Sequence, residues 1–380
     1  MELSEIRENL DAVDDELVDL FLKRMELVRK VGELKAEHGI PVLDRSRERG
    51  ILASVRERSG DMERFTNTLY QTLFQLSRSY QNTLLARPSQ TSALITDALA
   101  RHEGEVFPQT GTVACQGVEG GNSQMACDRL FPRGNLMYFK TFEAVFDAVA
   151  SGLCRFGVLP IENSSSGSVR EVYDLFQRKQ AYIVRSVRLF ISHELVAKPG
   201  TGLEDIKVIC SHEQALRQCS AFIEGLPAGI EVRACGNTAE AARLAAESGD
   251  GSIAAIASHD CGELYGLATV RRGIQNSENN YTRFVCIAAE PLVYPGANRI
   301  SLVLSCKHEP GALYEVMGRF NALGINLLKL ESCPIVGQDF EFMFFFDLEA
   351  SVHDPDVMAM LGELEQTCQS FTFLGNYLEA

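Results

Sequence analysis

The sequence predicts a multidomain protein: an all-α region of three helices, then an α/β region, then a smaller α+β region. Three observations carry that expectation. Between Ser4 and Glu37 there is no proline, and Ile6, Leu10, Val13, Leu17, Leu20, Leu27, Val28 and Val31 recur at a helical period. Past residue 111, short β-rich runs alternate with helical segments. From Arg299 on, the order reads strand, helix, strand, strand, helix, strand, which is the βαββαβ order of ferredoxin-like folds.

In chain order, Gly39 and Pro41 break the first helix, and a second helix starts near Asp44 and ends by Gly60. A third runs from Glu63 to about Ala86, with Leu69, Leu73, Leu76 and Tyr80 on one stripe. At about 1.5 Å per residue the first helix is roughly 50 Å long. That exceeds what one small bundle covers, so its stripe is expected to meet a second copy in an intertwined dimer. Arg87-Pro88-Ser89-Gln90 opens a weakly patterned linker, 88–110, with some helix. Strands are then expected at Thr112–Cys115, Arg155–Leu159, Ala181–Val187, Lys207–Cys210, Ile253–Ala257 and Phe284–Ala288. The span 111–290 has the length for two lobes around a cleft. Pro291 to Asn298 is a second break. The tail, 298–380, is expected as strand Arg299–Cys306, helix Ala312–Leu323, strands Ile325–Cys333 and Phe340–Leu348, helix Pro355–Cys368 and strand Phe371–Leu374. The apolar run from Phe340 to Phe346 reads as a buried strand and pairing surface.

Composition bounds the function. A net charge of −15 disfavours nucleic acid or an anionic membrane as a partner. The first 87 residues hold 14 Lys/Arg against 16 Asp/Glu, close to neutral, so the acidity lies in the remainder. No apolar run has the length of a membrane span, and Glu2, Glu5 and Arg7 break any signal-peptide pattern, so a cytoplasmic protein is expected. The 11 cysteines contain no C-x-x-C pair and read as reduced core residues. The seven histidines have no metal-ligand spacing, so neither metal nor cofactor is expected.

Two cations stand inside the apolar stripe of the first helix. Arg24 has Leu20, Phe21, Leu27 and Val28 at helical-neighbour spacing, and Lys35 has Val31, Gly32, His38 and Gly39. Neither has a local carboxylate, whereas Lys23, Arg29 and Lys30 each do. An unpaired buried charge is costly, so Arg24 and Lys35 call for an anion from elsewhere. Eleven residues apart, they share a face about 16 Å apart and their long side chains can converge on one small ligand.

Arg7, Arg24, Lys35, Asp44, Arg47, Glu48, Ser77 and Gln81 match, in type and spacing, the site pattern of the all-helical chorismate mutases, and residues 1–87 resemble that family throughout. The resemblance implies a dimer of three-helix chains with shared sites. Chorismate, a dianion, rearranges to prephenate in one pericyclic step, which asks for a held conformer and stabilised charge on the breaking ether oxygen. The resemblance assigns Lys35 and Gln81 to the ether oxygen. It assigns Arg7, Arg24 and Arg47 to carboxylates with Ser77 assisting, and Glu48 and Asp44 to the hydroxyl side. Taken singly, Asp44, Arg47 and Glu48 read equally well as first-turn capping and pairing, and Arg7 as a partner of Asp11. Arg7 lies on a different face from Arg24 and suits the partner chain's site.

Residues 111–290 resemble prephenate dehydratase through Gly157–Gly167, Ser211-His212, Leu264–Leu267 and Tyr281-Thr282-Arg283-Phe284. The resemblance implies two lobes around a cleft, as in periplasmic binding proteins, and loss of CO2 and the ring hydroxyl of prephenate to give phenylpyruvate. Hydroxide leaves poorly, so a donor must sit against it. By resemblance that donor is Thr282. Arg283 lies near a carboxylate, and Asn163, Ser164 and Ser211 position the substrate. Glu213 stands where the family has Pro, and Gly117–Ser123 departs from the family's glycine segment, so the cleft rim differs.

The tail resembles an ACT domain, an amino-acid-binding module. The resemblance implies phenylalanine as effector, held by Gly311, Ala312 and Leu313 in one segment and by Asn326, Glu331 and Ser332 in the other. Cys333 replaces the family's Arg and removes a cation. Along nearly the whole chain the order resembles the bifunctional chorismate mutase–prephenate dehydratases. Two other classes stay open at this stage: a non-catalytic amino-acid sensor, and an enzyme with one active half.

Overall fold

The computed structural model describes residues 2–84, 89–249, 251–334 and 342–380. Two compact units divide the chain, one of Met1–Asp97 with Ile300–Phe373, the other of Ala98–Arg299 with Leu374–Ala380.

The first unit opens with α1 (Leu3–His38), α2 (Arg45–Ser59) and α3 (Glu63–Leu84). Glu5 in the first turn of α1 and Lys35 and His38 in the last complement the helix dipole, and Gly39 at φ 65° ends it. Asp44 caps α2 by accepting from the Arg47 N–H at 2.9 Å. Helix α3 packs against both α1 and α2 and buries Phe74, Ser77 and Gln81. The only residue of α1 that this chain buries is Gly32. Leu17 is 53% exposed and Leu20 62% exposed, so the apolar stripe has no cover within one chain. The seam is tight at Gly32, where a Cβ would lie 3.1 Å from Gln81 Cγ.

Part of the expected linker, 88–110, is helical. Gln90–Arg101 forms helix α4, with Ile95 and Ala98 buried and the Thr91 N–H bonded to Glu365 Oε2 at 3.2 Å. Its apolar stripe is only two turns long, too short to stand out beside Pro88. Ala86, the expected end of the third helix, lies outside the described residues.

Two α/β lobes make up the second unit. In chain order they contain β1 (Thr110–Gln116), α5 (Asn122–Leu130), β2 (Arg133–Phe139), α6 (Phe142–Ala150), β3 (Phe156–Asn163), β4 (Gly167–Ser168), α7 (Arg170–Arg178), β5 (Tyr182–Phe190), β6 (Glu194–Ala197), β7 (Val208–His212), α8 (Glu213–Gln218), α9 (Ser220–Glu224), β8 (Glu231–Cys235), α10 (Thr238–Glu247), β9 (Ile253–Ala257), α11 (His259–Leu264), β10 (Ala268–Arg271) and β11 (Tyr281–Ala288). One sheet runs β2-β1-β3-β11-β5 with β4 paired to β3, the other β10-β6-β9-β7-β8. The chain crosses to the second lobe after β5 and returns in β11. The two crossings are bonded together, Ile191 N–H to Asn280 O at 2.7 Å and Ile274 N–H to His193 O at 3.0 Å. All six expected strands are present. Edge strands β2, β8 and β10 lack a buried apolar alternation, so only their neighbours reveal them.

The tail contains β12 (Arg299–Ser305), α12 (Ala312–Ala322), β13 (Asn326–Pro334), β14 (Phe342–Glu349), α13 (Pro355–Thr367) and β15 (Ser370–Tyr377), in sheet order β13-β14-β12-β15. This is the expected βαββαβ order. Of the apolar run, Phe345 and Phe346 are buried and Phe342 is exposed, while Phe340 and Glu341 lie outside the described residues. Within the first unit α3 packs against α12 and α13.

Candidate active sites

In the helical region, α3 is the platform. Ser77 and Gln81, one turn apart, both point into the α1–α3 seam. Arg24 Nη1 donates to Ser77 Oγ at 2.5 Å and to Leu73 O at 3.4 Å. Gln81 Nε2 donates to Val28 O at 3.2 Å, beside Gly32. The structure thus brings Arg24, Ser77 and Gln81 together. Burial lowers the Arg24 pKa from its ordinary value, with Tyr70 opposing. Lys35, at the end of α1, donates to Val42 O at 2.6 Å and lines a 760 Å³ cavity. None of the bonds described for either cation goes to a carboxylate. Asp44 and Arg47 line a separate 630 Å³ cavity along α2, with Arg47 exposed. Arg7 is exposed on the outer part of α1 and forms no ion pair among the described residues. Glu48 lies against Arg78 Nη1 at 2.5 Å.

Arg78 was missed from the sequence. Phe74, Gln75, Gln81 and Asn82 stand at its helical-neighbour positions, so it lacks a local carboxylate as Arg24 and Lys35 do, but its polar neighbours kept it out of the apolar stripe that singled those two out.

In the second unit a 470 Å³ cleft opens between the lobes. Antiparallel register sets its floor. Thr282 pairs with Asn163 across β11 and β3, and Arg283 pairs with Glu162. Side chains alternate along a strand, so the two pairs face opposite ways. Asn163 and Thr282 line the cleft; Arg283, 3% exposed, does not and instead meets Glu162 at 3.2 Å. Arg283 thus stands outside the cleft lining. Ser211 is fully buried, and its hydroxyl donates to Ile256 O at 2.6 Å and ties β7 to β9. Ser164 stands at the rim, donating to Asn279 O at 2.5 Å and accepting from the Tyr281 N–H at 2.9 Å. It holds the two strand ends together and is absent from the cleft lining.

A chain of amides supports the floor. Asn163 Nδ2 donates to Thr282 Oγ1 and to Asn280 Oδ1, each at 2.9 Å. Gln218 Nε2 donates to Asn280 Oδ1 at 3.3 Å and to Asn163 Oδ1 at 3.4 Å. His193 Nε2 meets Gln218 Oε1 at 2.9 Å. Because the amide nitrogen of Gln218 is committed to the asparagine oxygens, its oxygen must accept, and His193 carries its proton on Nε2. Burial lowers the His193 pKa, opposed by the Gln218 bond, so the ring is neutral near pH 7. Asn163 donates to Thr282, so the Thr282 proton is free to point elsewhere, and the cleft is where it opens. The sequence reading missed His193, Gln218 and Asn280, because isolated polar residues in loops and a short helix carry no pattern.

No lysine or arginine lines this cleft among the described residues. Its positive features are two helix starts from opposite lobes. Asn122 and Ser123 begin α5 behind Gly121, where no side chain caps the helix, and Thr238 begins α10 behind Asn237. Phe142, Pro160, Ile191 and Phe284 supply apolar walls.

In the tail, Gly311 at φ 90° starts α12, with no side-chain cap, ahead of Ala312 and Leu313. That left-handed backbone favours glycine. Asn326, Glu331 and Ser332 lie on β13, and Asn326 Nδ2 donates to Glu349 Oε2 at 3.1 Å. Cys333 is buried.

No described helix is long and apolar enough to cross a membrane, and no group of three His, Cys, Asp or Glu suited to a metal is found among the described residues. Residues 113–292 match the prephenate dehydratase family, and residues 6–82 match chorismate mutase type II. Arogenate dehydratase/prephenate dehydratase 2 of Arabidopsis thaliana is 36% identical over 277 residues, 70% of this chain and 72% of that protein. A solved prephenate dehydratase from Arthrobacter aurescens, in complex with L-Phe, superposes with a TM-score of 0.64 at 25% identity, over 70% of this chain and 90% of that one. The bifunctional chorismate mutase/prephenate dehydratase of Escherichia coli (strain K12) is 30% identical over 379 residues, 98% of this chain and 95% of that protein. With a helical region carrying Arg24, Ser77 and Gln81 and a two-lobed cleft in the same order, the chain belongs to the bifunctional chorismate mutase/prephenate dehydratase family, and serves phenylalanine biosynthesis by turning chorismate into prephenate and prephenate into phenylpyruvate.

Proposed function

We propose that the two reactions run in separate sites: chorismate rearrangement in residues 1–87 and prephenate dehydration in 111–290, with 88–110 as connector and 298–380 as an ACT regulatory domain, in a cytoplasmic protein. Arg24 and Ser77 hold one carboxylate of chorismate. Lys35 and Gln81 donate to the ether oxygen, where charge develops as the bond breaks. Arg47 binds at the second carboxylate, and Asp44 and Glu48 meet the hydroxyl. Arg7 acts in the site of a second copy, because the exposed Leu17 and Leu20 stripe of α1 needs a partner helix. The protein is a homodimer or a higher oligomer.

In the dehydratase cleft Thr282 donates to the leaving hydroxyl. Asn163 sets its polarity, and the helix starts at Asn122 and Thr238 take the two carboxylates. The observation that carries this reading is the Asn163–Thr282 bond at the floor of a cleft without Lys or Arg among its described lining. Phenylalanine binds the tail at Gly311–Leu313 and at Asn326, Glu331 and Ser332, and lowers activity. The solved relative bound to L-Phe supports phenylalanine as the ligand.

The test follows prephenate and phenylpyruvate separately in the full-length protein. Lys35→Ala is expected to cut chorismate turnover on the order of 10²-fold or more and to spare prephenate dehydration. Thr282→Ala is expected to do the reverse by about 10²-fold. Equal loss of both activities in either variant rejects separate sites, and near-normal phenylpyruvate formation in Thr282→Ala removes Thr282 from the mechanism.

A further inference from the structure

Arg78 stands between two carboxylates from different parts of the first unit. Its Nη1 is 2.5 Å from Glu48 Oε1 on α2, and its Nη2 is 3.8 Å from Glu315 Oε1 in the first turn of α12. The Arg78 side chain is 14% exposed, Glu48 24% and Glu315 55%. Arg78 follows Ser77 directly on α3, so the helix that presents Ser77 and Gln81 also presents this guanidinium. The same contact region is closely packed: a Cβ on Gly318 of α12 would lie 3.1 Å from the Gln75 amide oxygen of α3. A second pair runs alongside, Arg45 Nη2 to Glu309 Oε2 at 3.4 Å, and Glu309 lies two residues before Gly311.

A carboxylate beside a dianionic substrate repels it unless a cation neutralises and orients that carboxylate. Glu48 has such a cation in Arg78. A planar guanidinium bound through one nitrogen fixes one carboxylate oxygen and leaves the other to accept from a hydroxyl. We infer that Arg78 is a positioning residue of the mutase: it holds Glu48 in place, and because it shares its charge with Glu315, it makes chorismate turnover responsive to where α12 sits. The inference rests on the reading of Glu48 as a substrate contact. It adds a physical link from the start of α12 to that contact, through one side chain.

A double-mutant cycle in the full-length protein tests it, with chorismate turnover as the readout and prephenate dehydration and thermal midpoint as controls. Arg78→Met is expected to lower mutase kcat roughly tenfold with a smaller change in KM. Dehydratase activity should stay unchanged, and Arg78→Lys should recover part of the loss. Glu315→Gln, an exposed change that leaves the fold intact, is expected to shift mutase kcat/KM by about twofold to threefold in the parent and not at all in Arg78→Met. Equal effects of Glu315→Gln in both backgrounds overturn the link to α12. Normal kcat in Arg78→Met, with Glu48→Gln impaired, overturns the positioning role alone. Normal turnover in Glu48→Gln itself removes the assigned role of Glu48, and the inference falls with it.

Discussion

The Thr282 hydroxyl takes its direction from its neighbours. A threonine is a weak acid, and for the proposed donor role Asn163 supplies a donor to its oxygen and leaves the proton for the cleft. Asn163 is in turn oriented by Asn280 and Gln218, and Gln218 by His193. The histidine brings a pH dependence. Its folded-state pKa lies below the ordinary 6.5, so below about pH 6.5 the unfolded chain binds a proton that the folded chain does not. Stability therefore falls as pH drops through that value, down to the folded-state pKa, and is unaffected by His193 above it. In His193→Asn the loss of thermal midpoint between pH 7.5 and pH 5.5 should be smaller than in the parent. An equal loss would mean that His193 does not titrate in that window.

Helix α1 shows how one element serves two surfaces. Toward α3 it offers Gly32, Arg24 and Val28, and the small residue lets the helices approach closely enough for Gln81 to reach the Val28 carbonyl. Gly32→Val should overpack that seam, costing about 1–3 kcal/mol and displacing Gln81. Chorismate turnover should fall well before the dehydratase is affected, as read by separate assays. Outward, α1 offers an uncovered leucine stripe. On the proposed pairing of α1 with a second copy, Leu17→Glu with Leu20→Glu should yield monomers in sedimentation and lower mutase activity through loss of the Arg7 that the second copy would supply. Unchanged mass would place the interface elsewhere. The α4 helix is a smaller lesson of the same kind, since its burial of Ile95 comes from surroundings that a two-turn stripe does not announce.

For the whole molecule, the helical region and the tail belong to one compact unit, while the two-lobed dehydratase forms the other. Regulation through the tail is thus expected to touch the mutase, by the α3 contacts with α12 and α13. Calorimetric titration with phenylalanine should show binding, and Cys333→Arg, which adds back a cation on β13, should tighten it by several-fold. Absence of binding at millimolar phenylalanine would leave the tail an oligomerisation module.

The sequence by itself determined the order of three architectures, the six main strands of the middle region and the βαββαβ tail. Each of these is a local matter of period, punctuation and neighbour spacing, which the chain states directly. Arg24 with Ser77 and Asn163 with Thr282 were legible as types, but their meeting across helices and strands was decided by packing and register. Register turned Arg283 toward Glu162 and away from the cleft. It drew Ser211 into a bond with Ile256. Tertiary structure alone assembled His193, Gln218 and Asn280 into a support for Thr282, and alone placed Arg78 between Glu48 and Glu315. A polar side chain's role depends on which partner comes within about 3 Å, and that is settled only when distant segments have folded onto one another.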